Sequence, residues 1–352
     1  MANALTQQDV IAALKGVKDP DLHRDLTDLG MIRDIVVGAD SVSLTVNLTT
    51  PACPMKEQIK REVETALRNR LPESIKSISI NLTAEVRGKS TREKGDIPGV
   101  KNVIAVGSGK GGVGKSTLAA SIALGLKQYG SSVGLMDADI YGPSIPHLVG
   151  ASGRPMAMGE RIMPIEAAGL KVMSMGFLLE PDRAVIMRGP MLHGVIQQFL
   201  HQVEWGELDY LVIDLPPGTG DVPLSLAQAL PLTGAVVVCT PQAVALLDAV
   251  RAITMFRQLK VPVLGMVENM SGEIFGRGGA ARKAEELGIP FLGELPMMSS
   301  IREKGDAGQA GSVFDEHSAS RMPLLGIVER LAAQISIQNI QKPKMPTLQI
   351  LS

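Results

Sequence analysis

One run of residues constrains this chain more than any other: Gly107-Ser108-Gly109-Lys110-Gly111-Gly112-Val113-Gly114-Lys115-Ser116-Thr117. An apolar stretch, Val103–Val106, precedes it and reads as a strand, and Ser116–Gln128 follows and reads as a helix. Residues 109 to 116 satisfy G-x-x-x-x-G-K-[ST], the phosphate-binding loop. Glycines let the backbone turn its N–H groups inward around an anion, and the helix N-terminus adds favourable partial charge. Gly109, Gly111, Gly112, Val113, Gly114 and Thr117 then belong to the cradle, Lys115 reaches the β- and γ-phosphates, and the Ser116 hydroxyl ligates Mg²⁺. The motif demands a strand–loop–helix unit and a nucleoside triphosphate. ATP with Mg²⁺ is the expected ligand.

From Val100 onward, short apolar runs alternate with longer helical stretches such as Ala243–Leu259. Val133–Met136, Leu211–Ile213, Val236–Val238 and Val263–Val267 are apolar almost throughout, which suits strands buried on both faces. The expected fold is therefore α/β, a mostly parallel sheet flanked by helices. Asp137 and Asp139 close one strand in LMDADIYGPS, and Asp137 also reads as a cap for the next helix. Asp214 closes the strand LVID. A carboxylate at the tip of a strand beside the phosphate-loop strand is placed to hold hydrated Mg²⁺. The Pro216-Pro217-Gly218-Thr219-Gly220 segment after it suits a loop with two arrangements.

Residues 1–86 read as a small α+β domain of order α-β-β-α-β. Thr6 is placed to cap a helix bearing Val10, Leu14 and Val17. Ile32–Val37 is a strand, and Ser41–Leu48 alternates strictly, with Val42, Leu44, Val46 and Leu48 on one face. Ile59, Val63 and Leu67 mark a second helix, and Ile78, Ile80 and Leu82 a third strand. Residues 87–99 are charged, contain Gly and Pro and lack apolar periodicity, so they read as a linker. The ATPase domain is expected over 100–340, and 341–352 as a tail.

Charge and composition argue against several partners. A net charge of −1 argues against non-specific binding of nucleic acid, which needs a basic face, and leaves a local patch open. No apolar run approaches the ~18 residues of a membrane span. MANALTQQDV lacks a basic stretch followed by an apolar one, so no signal peptide is expected and the location read from it is cytoplasmic. The two cysteines, Cys53 and Cys239, lie far apart, as in a reduced compartment.

GKGGVGKST, with Lys110 as its extra lysine, resembles the signature of the MinD/ParA/ArsA/nitrogenase-iron-protein class. The resemblance implies a homodimer sandwiching two nucleotides, in which Lys110 crosses to the partner's γ-phosphate. A solvated surface lysine is the other reading. The class also implies a place for Asp139 near Mg²⁺ and the attacking water. DADIYGPSIPHL, MRGPMLHGVIQQFL, DYLVIDLPPGTGD, TPQAVALLDAVRAITMF and GMVENMS narrow the resemblance to the Mrp/ApbC-type iron–sulfur cluster carrier ATPases. DPDLHRDLTDLGMIRDI and TTPACPMKEQI make the N-terminal domain similar to SufT-like assembly proteins.

By this resemblance Asn269 recognises adenine, Pro241 and Gln242 line the base pocket, and apo iron–sulfur proteins are the clients. Hydrolysis would be slow and coupled to cargo transfer. The family's Cys-x-x-Cys after VENMS is absent, because Ser271 runs directly into Gly272-Glu273-Ile274-Phe275. A cluster takes about four thiolates, and the ATPase domain holds only Cys239, which the strand VVVC reads as buried. Cys53 sits in a proline-flanked loop before a helix, where the dipole favours thiolate. Its two readings are an exposed iron or cluster ligand and a packing cysteine.

Two rivals remain on the sequence. The first is a ParA/MinD-like positioning ATPase without a cluster. Against its membrane form, Arg321–Ile335 reads as a packed helix, with Met322, Leu325, Val328, Leu331 and Ile335 on one side. The second is an enzyme transferring phosphate to a small molecule.

Overall fold

The computed structural model describes residues 5–88, 95–178 and 189–341. Part of the expected linker, Met187 and Arg188 of the MRGPMLHGVIQQFL segment, and the tail with Pro343 and Pro346 lie outside them. The chain divides into two compact units, Met1–Arg87 and Gly88–Ser352.

In the smaller unit, α1 (Gln7–Leu14) starts from a reciprocal cap. The Thr6 hydroxyl accepts the Asp9 N–H, and the Asp9 carboxylate accepts the Thr6 N–H at 2.8 Å. Strands β1 (Ile32–Val37), β2 (Ser41–Leu48) and β3 (Ser77–Ala84) form a sheet in that order, with α2 (Lys56–Arg70) between the last two. β1 and β2 are antiparallel; β2 and β3 are parallel, which is why a helix must carry the chain across. Val42, Leu44, Val46, Leu48, Ile59, Val63 and Leu67 are all buried. The expected alternation holds for the apolar side of β2. Thr45 and Asn47 on its other side are buried too, because the strand is central and Asn47 lies under the Arg33 and Thr83 side chains.

The larger unit begins with β4 (Val100–Ser108), the phosphate loop and α3 (Lys115–Gln128). β5 (Val133–Asp137), α4 (Ile145–Leu148), a hairpin of β6 (Ala157–Met158) and β7 (Arg161–Ile162), β8 (Ile165–Ala167) and β9 (Leu170–Ser174) follow. Then come α5 (Gly189–His201), β10 (Leu208–Asp214), α6 (Asp221–Ala229), β11 (Gly234–Cys239) and α7 (Ala243–Gln258). β12 (Val263–Ser271), α8 (Gly279–Leu287), β13 (Phe291–Pro296), α9 (Ser299–Asp306) and α10 (Arg321–Gln341) complete the unit. The sheet order is β13-β12-β11-β4-β10-β5-β9-β8, parallel throughout except the β8–β9 edge. It is an α/β fold with helices over a mostly parallel sheet. Val103–Val106 and Leu211–Ile213 are essentially inaccessible, as apolar runs sandwiched by helices must be.

Parallel strands bring all their carboxyl ends to one edge, and β4 lies at the centre of that edge between β10 and β11. The phosphate loop therefore emerges with the ends of both neighbours beside it. α10 packs against β13 and α3 as expected for a packed helix, but its stripe is turned. Leu324, Val328, Leu331 and Ile335 are buried at helical spacing, whereas Met322 is exposed and Leu325 only half-buried. No helix among the described residues is long and apolar enough to cross a membrane.

Candidate nucleotide site

The loop's shape follows from its glycines. Gly112 and Gly114 hold φ of 77° and 80°, a region that side chains disfavour. A Cβ on Gly114 would stand 2.2 Å from the Asn269 amide nitrogen, and one on Gly109 2.1 Å from the Asp248 carbonyl oxygen in α7. Gly109 thus passes close against α7, the crest of the loop at Gly111 and Gly112 is exposed, and Val113 is buried beneath. α3 then begins at Lys115, with Ser116 and Thr117 in its first turn.

Lys115 is buried and central. Its ammonium donates to Asp214 Oδ1 at 2.6 Å and to Ser116 Oγ at 3.2 Å, and lies 3.6 Å from Asp139 Oδ2. Asp214 and Asp137 are in register on neighbouring strands, so two carboxylates stand side by side at the sheet's edge. Burial raises the Asp214 carboxyl above its ordinary range, opposed by Lys115 and Ser116. It does the same at Asp139, again opposed by Lys115. Burial, then the neighbouring Asp214, push Asp137 up to about 8. Asp137 accepts the backbone N–H of Ile145 and Asp139 and the Ser174 hydroxyl, which places it as the cap of α4.

The donor set fits Mg²⁺. Asp214 Oδ2 is buried without a hydrogen-bond partner among the described residues. Ser116 and Asp139 add hard oxygen donors alongside it. Mg²⁺ takes one or two such protein ligands and completes its shell with phosphate and water. The loop after Asp214 is tied to the phosphate-loop strand: Leu215 N–H donates to the Val106 carbonyl, and Gly218 N–H to that of Ser108 at 2.9 Å. Pro217 closes one wall of a cavity of about 250 Å³ that includes Lys110, Lys115, Ser116 and Asp139.

That basin shares Gly114, Thr117 and Leu148 with a second, more apolar cavity of about 560 Å³. Asn269, Met270, Pro296, Met297 and Ile301 contribute to it. Asn269 donates its amide N–H to the Val113 carbonyl at 2.8 Å, tying β12 to the phosphate loop. Pro241 and Gln242 lie elsewhere, at the end of β11 and the start of α7, and are not among the residues that line this cavity. The wall from Leu295 to Met298 was invisible to sequence reasoning, because only the β12–β13 pairing brings it beside Asn269.

Lys110 sits half-exposed in the loop, and its ammonium makes no ion pair or hydrogen bond among the described residues. The cysteines differ from expectation on one point. Cys53 is not the exposed thiol of the first reading: it is 9% exposed, in a loop where Thr50 and Ala52 are also covered. Proline-bounded turns fold this segment back onto the core of the small unit. Cys239 is buried as expected, and burial followed by the neighbouring Glu268 raises its thiol to about 12. Glu268 itself accepts the N–H groups of Gly278 and Ala280, both at 2.7 Å, and so fastens the start of α8. Among the described residues no group of three or more His, Cys, Asp or Glu is gathered to hold a metal ion.

Comparison with known proteins matches residues 99–332 to the NUBPL iron-transfer P-loop NTPases and residues 7–80 to an iron–sulfur cluster assembly family. An iron–sulfur cluster carrier protein of Synechocystis is 46% identical over 350 residues, covering 95% of this chain and 99% of its own. One of Deinococcus radiodurans is 46% identical over 345 residues, covering 95% and 97%. A nucleotide-binding protein of Archaeoglobus fulgidus, solved in complex with ADP, superposes with a TM-score of 0.56 at 41% identity. That match covers 62% of this chain and 92% of the other.

Proposed function

Because this chain belongs to the NUBPL iron-transfer P-loop NTPase family, we propose that it is an ATP-hydrolysing carrier of iron–sulfur clusters, working as a nucleotide-switched homodimer. The observation that carries the ATPase reading is the buried Lys115–Asp214 pair, with Asp139 and Ser116 within reach of the same ammonium. Lys115 exchanges Asp214 for the β- and γ-phosphates, which frees that carboxylate for the hydrated cation. Mg²⁺ supplies charge neutralisation at the phosphates. Asp139 stands 3.6 Å from Lys115 and is placed to orient the attacking water.

Adenine is the base that the cavity suits. With one N–H of its amide donated to Val113, Asn269 keeps a second N–H and its carbonyl oxygen, the donor and the acceptor that an adenine edge requires. Pro296 has no N–H, and that of Met297 is bonded to the Ser271 carbonyl. A wall this poor in backbone donors favours an exocyclic amine at the edge of the base over a carbonyl there. ATP should bind at least ~10-fold tighter than GTP, since an unpaired buried polar group is costly.

Lys110 separates the phosphate site's two functions. Its exposure and its lack of a partner among the described residues support a role across the dimer, at the partner's γ-phosphate. Lys115→Ala should lower ATP affinity ~100-fold or more, whereas Lys110→Ala should keep affinity and lose ~10³-fold in kcat, as removal of a transition-state cation does. Calorimetry and phosphate release measure the two. Normal turnover in Lys110→Ala would rule out the trans lysine.

The cargo, an iron–sulfur cluster, finds no complete ligand set in one chain. Cys53 is the thiol we assign to it, with the remaining ligands from the dimer mate, glutathione or the client.

A further inference from the structure

Of the residues that the two cavities share, Gly114 and Thr117 belong to the phosphate loop and α3. Leu148 comes instead from α4, at the end of the segment that carries Asp139. A nucleotide with its phosphates in the smaller cavity and its base in the larger one lies against this leucine.

The other side of Leu148 rests on α9. A Cβ on Gly305 would stand 3.1 Å from Leu148 Cδ2, so the leucine is seated on a glycine in the wall of the base cavity. Just beyond, the two segments meet backbone to backbone. Gly150 and Gly308 hold φ of 66° and 70°, and a Cβ on Gly150 would stand 2.6 Å from the Gly308 carbonyl oxygen. A contact this close leaves α4 little room to slide along α9. At its start α4 is fastened to the phosphate site. The Asp137 carboxylate accepts the Ile145 N–H through Oδ2 at 3.2 Å and the Asp139 N–H through Oδ1 at 3.1 Å. Leu148 lies within one helical turn of Ile145, about 5 Å along the axis. A displacement at Leu148 therefore reaches the carboxylate that fixes the Asp139 backbone.

We propose that Leu148 is a positioning residue that couples occupancy of the base cavity to Asp139. With a base in place, Leu148 is clamped between it and Gly305, and Asp139 is held for the attacking water. With that cavity empty, Leu148 loses packing on one face and α4 is free to shift. A misplacement of about 1 Å can cost ~10²-fold in rate. Hydrolysis then depends on the base as well as on the phosphates. The inference rests on the ATPase reading above, with Asp139 at the water.

Turnover of ATP and of inorganic triphosphate, each at saturation, tests it. Both lose a terminal phosphate to water at the same loop, and only ATP fills the base cavity. The ratio of kcat, ATP over inorganic triphosphate, should be at least ~10 in the wild type. Leu148→Ala should bring that ratio below ~3 with the KM for ATP changed less than ~3-fold, and Leu148→Met should restore it. A leucine with only a structural role would lower both rates together and keep the ratio, which overturns the proposal. A wild-type ratio near 1, or full ATP turnover in Leu148→Ala, overturns it as well. A wild type that hydrolyses neither compound would instead overturn the ATPase reading, and this inference with it.

Discussion

Two cysteines of one chain are set apart by what surrounds each thiol. Cys239 lies in the central sheet, its Sγ 3.8 Å from the Val267 carbonyl, with Glu268 in register on the next strand. Its thiol, raised to about 12, stays protonated at pH 8 in the folded chain and loses that protection on unfolding, when the value returns to about 8.5. Iodoacetamide at pH 8 should therefore leave Cys239 unmodified in native protein and alkylate it in urea, read by mass spectrometry. Cys53 lies in the loop between β2 and α2 rather than in a sheet, and we expect a local opening of residues 49–55 to bring it out. We expect anaerobic reconstitution to give less than one iron–sulfur cluster per dimer, easily stripped by chelator. Cys53→Ser should abolish that iron and Cys239→Ser should leave it, with ATPase activity intact in both. A stoichiometric, chelator-resistant cluster in Cys53→Ser would remove Cys53 from the ligand set.

Elements position the site through close backbone approach. α7 touches the phosphate loop where a Cβ on Gly109 would meet the Asp248 backbone, which cannot rotate away. Gly109→Ala should push the loop off the helix and weaken ATP binding at least ~10-fold, the scale of a misplaced binding group. Far-ultraviolet circular dichroism should be unchanged. Gly111→Ala, with open space around its Cβ, is the control and should bind normally. Equal losses in both would mean that side-chain bulk at the crest, not the α7 contact, decides the loop's geometry. Much of this level was legible beforehand. The strands of the larger unit announced themselves as apolar runs, and α3 and α7 began within a residue of expectation. β8, β9 and β13 did not, because short strands mixed with polar residues carry no clear period. The α10 stripe was misjudged by taking Met322 and Leu325, which match the helical spacing as well as Leu324 does. Only the packing partners, β13 and α3, choose between such faces.

For the whole molecule, a nucleotide sandwich predicts association that tightens with ATP and Mg²⁺. ATP with Mg²⁺ should convert monomer to dimer, and Asp214→Asn should weaken that response by ~10-fold, since the carboxylate we assign to the cation is gone. Light scattering that shows a monomer under every nucleotide condition would contradict the switch.

What the sequence determined by itself was chemistry that depends on neighbours along the chain. G-x-x-x-x-G-K-[ST] needs its backbone N–H groups contiguous, so the motif, its strand and its helix are written in order, and Asp214 follows from being at a strand's end. The tertiary structure alone decided what depends on neighbours in space. It placed Asp137 against Ser174 and Ile145 as a cap, set Leu295–Met298 rather than Pro241 and Gln242 around the apolar cavity, and folded the Cys53 loop inward. Each of these is fixed by strand order and by which surfaces must leave water, and neither is carried by local spacing.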